Sequence, residues 1–214
     1  MQITSLGHAC LLLESDDTRL LIDPGVYSTG FESLTQLDAI LVTHQHADHL
    51  DRDRLTDVVA ANPRAALLFE PETAIEADLE SVTVFSAGDS TGIGSIEVSA
   101  VGGEHAPNHD QVPRLGNVGL VLRTGGGQTL FHPGDSYADA PSGVDVLALP
   151  LNAPWARISE TLDFLHRVSP RVVIPIHDGL LNEVGRAAYL LHVENAGPDH
   201  TELRALPNAE PTAF

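Results

Sequence analysis

The segment Thr43-His44-Gln45-His46-Ala47-Asp48-His49-Leu50-Asp51 puts three imidazoles and one carboxylate between residues 44 and 49. Neutral imidazole is the commonest protein ligand for a metal, and carboxylate oxygen complements it for zinc, manganese or iron. His44 and His46, two apart, can converge on one ion. Asp48 and His49 are adjacent, so their side chains diverge and can reach a second ion nearby. Two-metal hydrolase sites hold their ions roughly 3.5–4 Å apart, a span that a loop of this kind can bridge. The bland alternative is a solvated turn rich in histidine by chance. The apolar run Ala39-Ile40-Leu41-Val42 just before it argues otherwise. That run reads as a short buried strand, and α/β sheets place their sites on loops leaving the carboxyl ends of strands.

The rest of the chain must position this loop. Strands are expected over residues 1–6, 9–14 and 19–22, with Asp16-Asp17 as a hairpin turn. Residues 27–37 read as loop with a helical turn. Leu55, Val58 and Val59 give helical spacing over 51–61, stopped by Asn62-Pro63. Strand 65–69, helix 71–79 with Pro71 in its first turn, and strand 82–85 follow. Residues 88–94 are loop or hairpin, and 96–101 alternate as a strand. Residues 102–116 read as a long irregular segment, a length that usually carries function. Strands at 117–124 and 128–132 flank Gly125-Gly126-Gly127; strand 144–151, helix 157–168, strand 171–176 and helix 181–194 complete the pattern. Residues 201–206 read as a last strand before a frayed end. Early hairpins, later strands mixed with helices and no linker predict one domain over 1–214.

Composition narrows the class. The 214 residues can bury a substantial core. Cys10 is the single cysteine, so no intramolecular disulfide forms and a thiolate metal site is excluded. Net charge is −19, and the eleven basic residues are all Arg. Nucleic-acid affinity comes mostly from neutralising phosphates, so an acidic chain argues against nucleic acid as a partner. No basic leader and no apolar run near ~20 residues stands in the sequence, which predicts a cytoplasmic protein without a membrane partner.

Through His44-Gln45-His46-Ala47-Asp48-His49 the sequence resembles the metallo-β-lactamase superfamily of metal-dependent hydrolases. Leu50-Asp51 and Gly134-Asp135-Ser136 are similar to its lactonase and phosphodiesterase branch, which includes ascorbate-6-phosphate lactonases. The resemblance implies an α+β fold, an αββα four-layer sandwich with metals at one edge. It implies two divalent metal ions, zinc first, with manganese or iron as alternatives. His44, His46 and His105 would hold the first and Asp48, His49 and His177 the second, with Asp135 bridging. Asp23 resembles the family's acidic residue behind the metals, which orients a ligand histidine through its other ring nitrogen. His8 is either a similar brace or a satisfied core histidine, and His132 points along the same edge. Trp155 fits either a pocket wall or the core.

The implied reaction is attack by a bridging hydroxide on a small phosphodiester, lactone or related ester. Asp48 would also orient that nucleophile, and His109 is a candidate proton donor or substrate contact. Arg114, the one cation in residues 102–114, is expected to meet an anionic small-molecule substrate. The alternative is a non-catalytic metal-binding sensor or scaffold of the same fold; the seven filled ligand positions favour catalysis. Oligomeric state is open.

Overall fold

The computed structural model describes residues 1–214. Seven strands form a first sheet: β1 (Gln2–Ser5), β2 (Leu11–Ser15), β3 (Thr18–Ile22), β4 (Ala39–Val42), β5 (Ala66–Phe69), β6 (Val82–Val84) and the C-terminal β14 (Thr212–Ala213). Its order is β14-β1-β2-β3-β4-β5-β6. The second sheet contains β7 (Ser90–Ile93), β8 (Ile96–Glu104), β9 (Gly116–Thr124), β10 (Thr129–His132), β11 (Val146–Pro150), β12 (Val172–Ile176) and β13 (Glu202–Leu203). Its order is β13-β12-β11-β10-β9-β8-β7. Both sheets are mixed: β3 to β6 and β10 to β13 pair in parallel, the rest antiparallel.

The period-2 alternation of side chains decides the layering. Leu11, Leu13, Leu20, Ile22, Ala39 and Leu41 face the second sheet and join one core cluster with Val98, Leu120, Leu130, Ala148 and Ile174. Their neighbours Leu12, Leu21, Ile40 and Val42 face the other way, onto α1 (Arg52–Ala61) through Leu55 and Val58. The short α2 (Pro71–Glu76) lies on that side too, where Ala74 packs on the same cluster. On the far side Phe131, Leu147, Leu149 and Val173 pack on α3 (Ile158–Val168) and on Val193 of α4 (Glu183–Ala196). The result is the expected four-layer αββα sandwich. Strand β4 is buried on both faces, which is why its sequence is apolar without alternation. No helix is long and apolar enough to cross a membrane.

Several expected boundaries moved. The irregular segment is shorter, because β8 runs on to Glu104. Gly102 and Gly103 have positive φ (86° and 137°) yet stay paired with Val118 and Asn117, so glycine here bends a strand and does not end it. Helix α2 stops at Glu76. The C-terminus is not frayed: Thr212 and Ala213 pair with Ile3 and Gln2. Two residues at a sheet edge carry no readable pattern.

Leu50 and Asp51 have structural tasks. Leu50 is buried under α1. Asp51 caps α1 by accepting from Arg54 N (3.0 Å) and from Arg54 Nε (2.6 Å). Arg54 then donates to the carbonyls of Ser28 and Gly25, closing the loop after β3.

Candidate metal centre

The site forms where strand ends of both sheets meet. His44, His46, Asp48 and His49 follow β4, Asp23 follows β3, His105 follows β8, Asp135 follows β10 and His177 follows β12. Two groups of ligand-type atoms result, each within 4.8 Å of one another: His44, His46, His105 and Asp135, and His8, Asp48, His49 and His177. Nε2 of His44 and Nδ1 of His46 are 3.1 Å apart. Two ligand nitrogens on a tetrahedral zinc are separated by roughly 3.3 Å. Asp135 lies between the groups. Its Oδ2 is 3.4 Å from His105 Nε2 and 3.9 Å from His44 Nε2. Its Oδ1 is 3.1 Å from His49 Nε2 and 3.2 Å from His177 Nε2. Asp48 Oδ2 is 3.4 Å from His177 Nε2.

Hydrogen bonds behind the rings fix where the ring protons sit. His105 Nδ1 donates to Ala106 O and His177 Nδ1 to Asn152 O, both at 2.6 Å. His49 Nδ1 donates to Asp23 Oδ2 at 2.7 Å. Thr43 Oγ1 gives its one proton to Asp23 Oδ2 (2.8 Å), so it accepts from His44 Nδ1 at 3.0 Å. In the neutral form, the one that binds a cation, each of these four rings keeps its single N–H at Nδ1 and turns the Nε2 lone pair inward. Nε2 of His49, His105 and His177 and Oδ1 of Asp135 are buried without a hydrogen-bond partner. Buried polar atoms are normally satisfied, and acceptors that converge without donors are what a cation satisfies.

His8 is different. Gly179 N–H donates to its Nδ1 (3.1 Å), so Nε2 carries the proton and donates to Asp48 Oδ2 at 3.0 Å. His8 therefore orients Asp48 from behind. His132 is likewise a brace: Nε2 donates to Ala9 O (2.9 Å) and Nδ1 accepts from Gly134 N (3.2 Å).

Charge follows the same geometry. Burial, then the neighbouring His49, hold the His44 pKa well below its ordinary value. Burial also pulls on His177, but the Asp135 carboxylate 3.2 Å from its Nε2 outweighs it and pushes the pKa of the metal-free ring up to about 9. Burial raises the Asp48 pKa, but hydrogen bonds from His177 and His8 overcome this and hold it well below the carboxylate range.

The backbone is held under strain at three of these residues. His8, Asp23 and His177 have φ of 51°, 47° and 57°, the left-handed region that non-glycine residues avoid. Gly134 has φ +61°, and a Cβ there would sit 2.2 Å from Asn117 Oδ1, which accepts from Asp135 N at 2.9 Å.

Residues 2–177 match the family model described as a beta-lactamase superfamily domain. A UPF0173 protein of Pyrococcus furiosus is 31% identical over 86% of each chain. The chain belongs to the metallo-β-lactamase superfamily, within its UPF0173 metal-dependent hydrolase family. Protein Rv0786c of Mycobacterium tuberculosis is 39% identical over the full length of both chains. The metallo-beta-lactamase fold protein YhfI of Bacillus subtilis superposes with a TM-score of 0.76, at 15% identity, covering 99% of this chain and 98% of that one.

In this superfamily member the other expected residues are distributed unevenly. Asp23, fully buried, accepts the hydrogen bond of the His49 ring N–H, the orienting contact expected of it. Trp155 is a wall residue with a polar task that its sequence context did not reveal: its Nε1 donates to Asp135 Oδ2 at 2.9 Å. No sequence signal links an Ala-Pro-Trp segment to a carboxylate twenty residues earlier. His109 is exposed, accepts from Gln111 N at 3.1 Å, and lines neither cavity beside the cluster. Arg114 is exposed and ion-paired with Glu104 at 2.9 Å. A cavity of about 290 Å³ opens onto His46, Asp48, His105, Asp135 and His177.

Proposed function

We propose that this chain is a dinuclear metal-dependent hydrolase. His44, His46 and His105 would hold one divalent cation and Asp48, His49 and His177 a second, with Asp135, which lies between the two groups, available to both. Zinc suits the nitrogen-rich set, with manganese or iron as alternatives. The observation that carries this is the set of four imidazole Nε2 atoms, left for a cation by hydrogen bonds that hold a ring proton at Nδ1, that face the two oxygens of Asp135. Bound cations supply a water that ionises near neutral pH and polarise the electrophilic oxygen. The chain's residues do the rest. Asp48, ionised and held by His8, accepts a hydrogen bond from the attacking water and orients it. Its depressed pKa makes it a guide for that water and a weak base. Trp155 keeps Asp135 in place and walls the cavity from bulk water.

The substrate on this reading is a small, anionic ester, lactone or phosphodiester. Residues 1–214 act as one domain in the cytoplasm, without nucleic-acid or membrane partners. The position of His109, exposed and outside both cavities, lends no support to a role as proton donor.

Metal analysis of purified protein should give close to two ions per chain. Hydrolysis of bis(p-nitrophenyl) phosphate or of a p-nitrophenyl ester or lactone panel should vanish in Asp135→Ala. Two bound ions with no hydrolysis across that panel would favour the sensor or scaffold alternative.

A further inference from the structure

A second cavity, about 650 Å³, adjoins the first and shares His105, Asn108, Pro154 and Trp155 with it. The two have different walls. Val26, Tyr27 and Leu180 stand at the smaller one and remain 43, 50 and 51% exposed, an apolar rim. The larger one carries Arg114, Arg157 and Arg167 against Glu104, Glu160 and Asp163. Three cations to three anions contrasts with eleven to thirty in the whole chain. On a protein this acidic, the larger cavity is a locally cation-rich spot.

Two of its cations are already neutralised. Arg114 pairs with Glu104 and Arg157 with Glu160. Arg167 has no carboxylate partner. It donates to the backbone carbonyls of Tyr137 and Ala138, and its Cζ lies 5.7 Å from the centre of the Phe164 ring. Those contacts hold its guanidinium at the cavity wall without a direct ion pair. An aromatic ladder connects it to the candidate metal centre. Trp155, bonded to Asp135, meets Tyr137 edge-on at 4.8 Å, and Tyr137 stacks on Phe164 at 4.8 Å. The Tyr137 hydroxyl is tied to Pro150 O (2.6 Å) and Thr161 (2.9 Å), so the ladder is rigid. Arg167, at the larger cavity, and Asp135, at the smaller one, are thus linked through one packed row of side chains.

We propose that the larger cavity is a subsite for an anionic group of the substrate, a carboxylate or phosphate set several bonds from the scissile bond, with Arg167 as its anchor. A guanidinium recognises either anion in bidentate fashion. The apolar rim of the smaller cavity faces the other half. The substrate class is therefore an ester or lactone with an apolar acyl side and an anionic alcohol side. Water oxygen bonds to the acyl carbon, the alkoxy oxygen leaves with a proton, and the released alcohol keeps its anion. This rests on the hydrolase reading above.

Four butyrate esters test it: those of glycolate (carboxylate), ethylene glycol phosphate, ethylene glycol (neutral) and choline (cationic). With metal-loaded protein, kcat/KM for one of the two anionic esters should exceed that of the neutral ester by about tenfold or more, the value of one charge-assisted hydrogen bond. Which of the two leads identifies the anion. In Arg167→Gln that ratio should fall to within about twofold of one, and Arg167→Lys should keep part of it. An unchanged melting temperature shows that the wall still stands in both variants. Preference for the neutral or choline ester, or a ratio that survives Arg167→Gln, overturns the proposal. If no ester turns over, calorimetry with the inert ether butoxyacetate decides. Binding that weakens about tenfold in Arg167→Gln keeps the subsite while the hydrolase reading fails, and absence of binding removes the subsite.

Discussion

The indole N–H of Trp155 donates at 2.9 Å to Oδ2 of Asp135, the oxygen that also faces His105 at 3.4 Å. The two carboxylate oxygens therefore have unequal surroundings, since Oδ1 meets only His49 and His177. Trp155→Phe keeps the ring and removes the donor. Hydrogen bonds to charged acceptors contribute about 1.5–3 kcal/mol, so uptake of one metal equivalent should weaken by roughly 10- to 100-fold. Chelator competition measures this directly. Trp155 is the one tryptophan of the chain, so wild-type fluorescence should track the titration. Equal metal affinity in the variant would sink the idea that Trp155 positions Asp135.

Asp23 offers a sharper test of the bonds behind the candidate metal ligands. It is fully buried, and its Oδ2 accepts both the His49 ring proton and the Thr43 hydroxyl, while Oδ1 accepts Thr43 N at 2.8 Å. Through Thr43 it also fixes His44, so one carboxylate sets the tautomer of a histidine in each group. Asp23→Asn turns one acceptor into a donor facing donors. Metal affinity should drop about 10- to 100-fold, the usual cost of losing such a partner. Equilibrium dialysis against zinc would read it, and loss confined to overall stability, with affinity intact, would refute the orienting role.

Proton competition gives the pH dependence its sign. The His177 pKa is raised to about 9, from an ordinary value near 6.5. A raised folded-state pKa contributes stability that is fully present below about 6.5 and is lost as pH climbs through about 9. In chelator-treated protein this contribution, on the order of 3 kcal/mol, should fade across that window. A cation displaces the same proton, so the rise in melting temperature on adding metal should be larger at pH 9 than at pH 6. Calorimetry in buffers of different ionisation enthalpy should also detect protons released on binding at pH 7. A metal-induced shift that shrinks with rising pH would contradict this assignment.

The strand order and the 44–49 loop were legible because their signals are local, and the sandwich together with His105, Asp135 and His177 followed from the family resemblance that this loop carries. A buried run followed by ligand-type residues marks Val42 to His49, Phe131 to Asp135 and Ile176 to His177 within a few positions each. What stayed hidden depends on partners distant in the chain. His8 meets Asp48 forty residues on, and Trp155 meets Asp135 twenty residues back, so neither role has a spacing to read. Gly102 and Gly103 misled for the opposite reason: locally they read as breakers, and only pairing with β9 keeps them in strand β8. The position of His109 gives no account of a catalytic role, since its four-residue distance from His105 says nothing about which way the loop turns.

Gly25 and Gly88 separate steric from conformational demands on glycine. A Cβ at Gly25 would fall 1.8 Å from Asp48 O and 2.6 Å from His49 N, backbone atoms of the candidate metal loop that cannot retract. Val26 N also donates to Ala47 O at 2.8 Å and Asp51 N to Pro24 O at 2.8 Å, so the two segments are stitched together on both sides of the contact. Gly25→Ala must therefore push the 44–49 loop off its seat. Gly88 is the control: its φ is +94°, yet nothing lies within 4 Å of an added Cβ. Gly88→Ala should cost about 1 kcal/mol from backbone strain alone, with metal content unchanged. Gly25→Ala should cost more than about 3 kcal/mol, in the range of severe overpacking, and should lose bound metal as well. Urea denaturation and metal analysis on the pair decide it. A Gly25→Ala protein that keeps two ions and wild-type stability would mean that the loop is not seated by Pro24-Gly25.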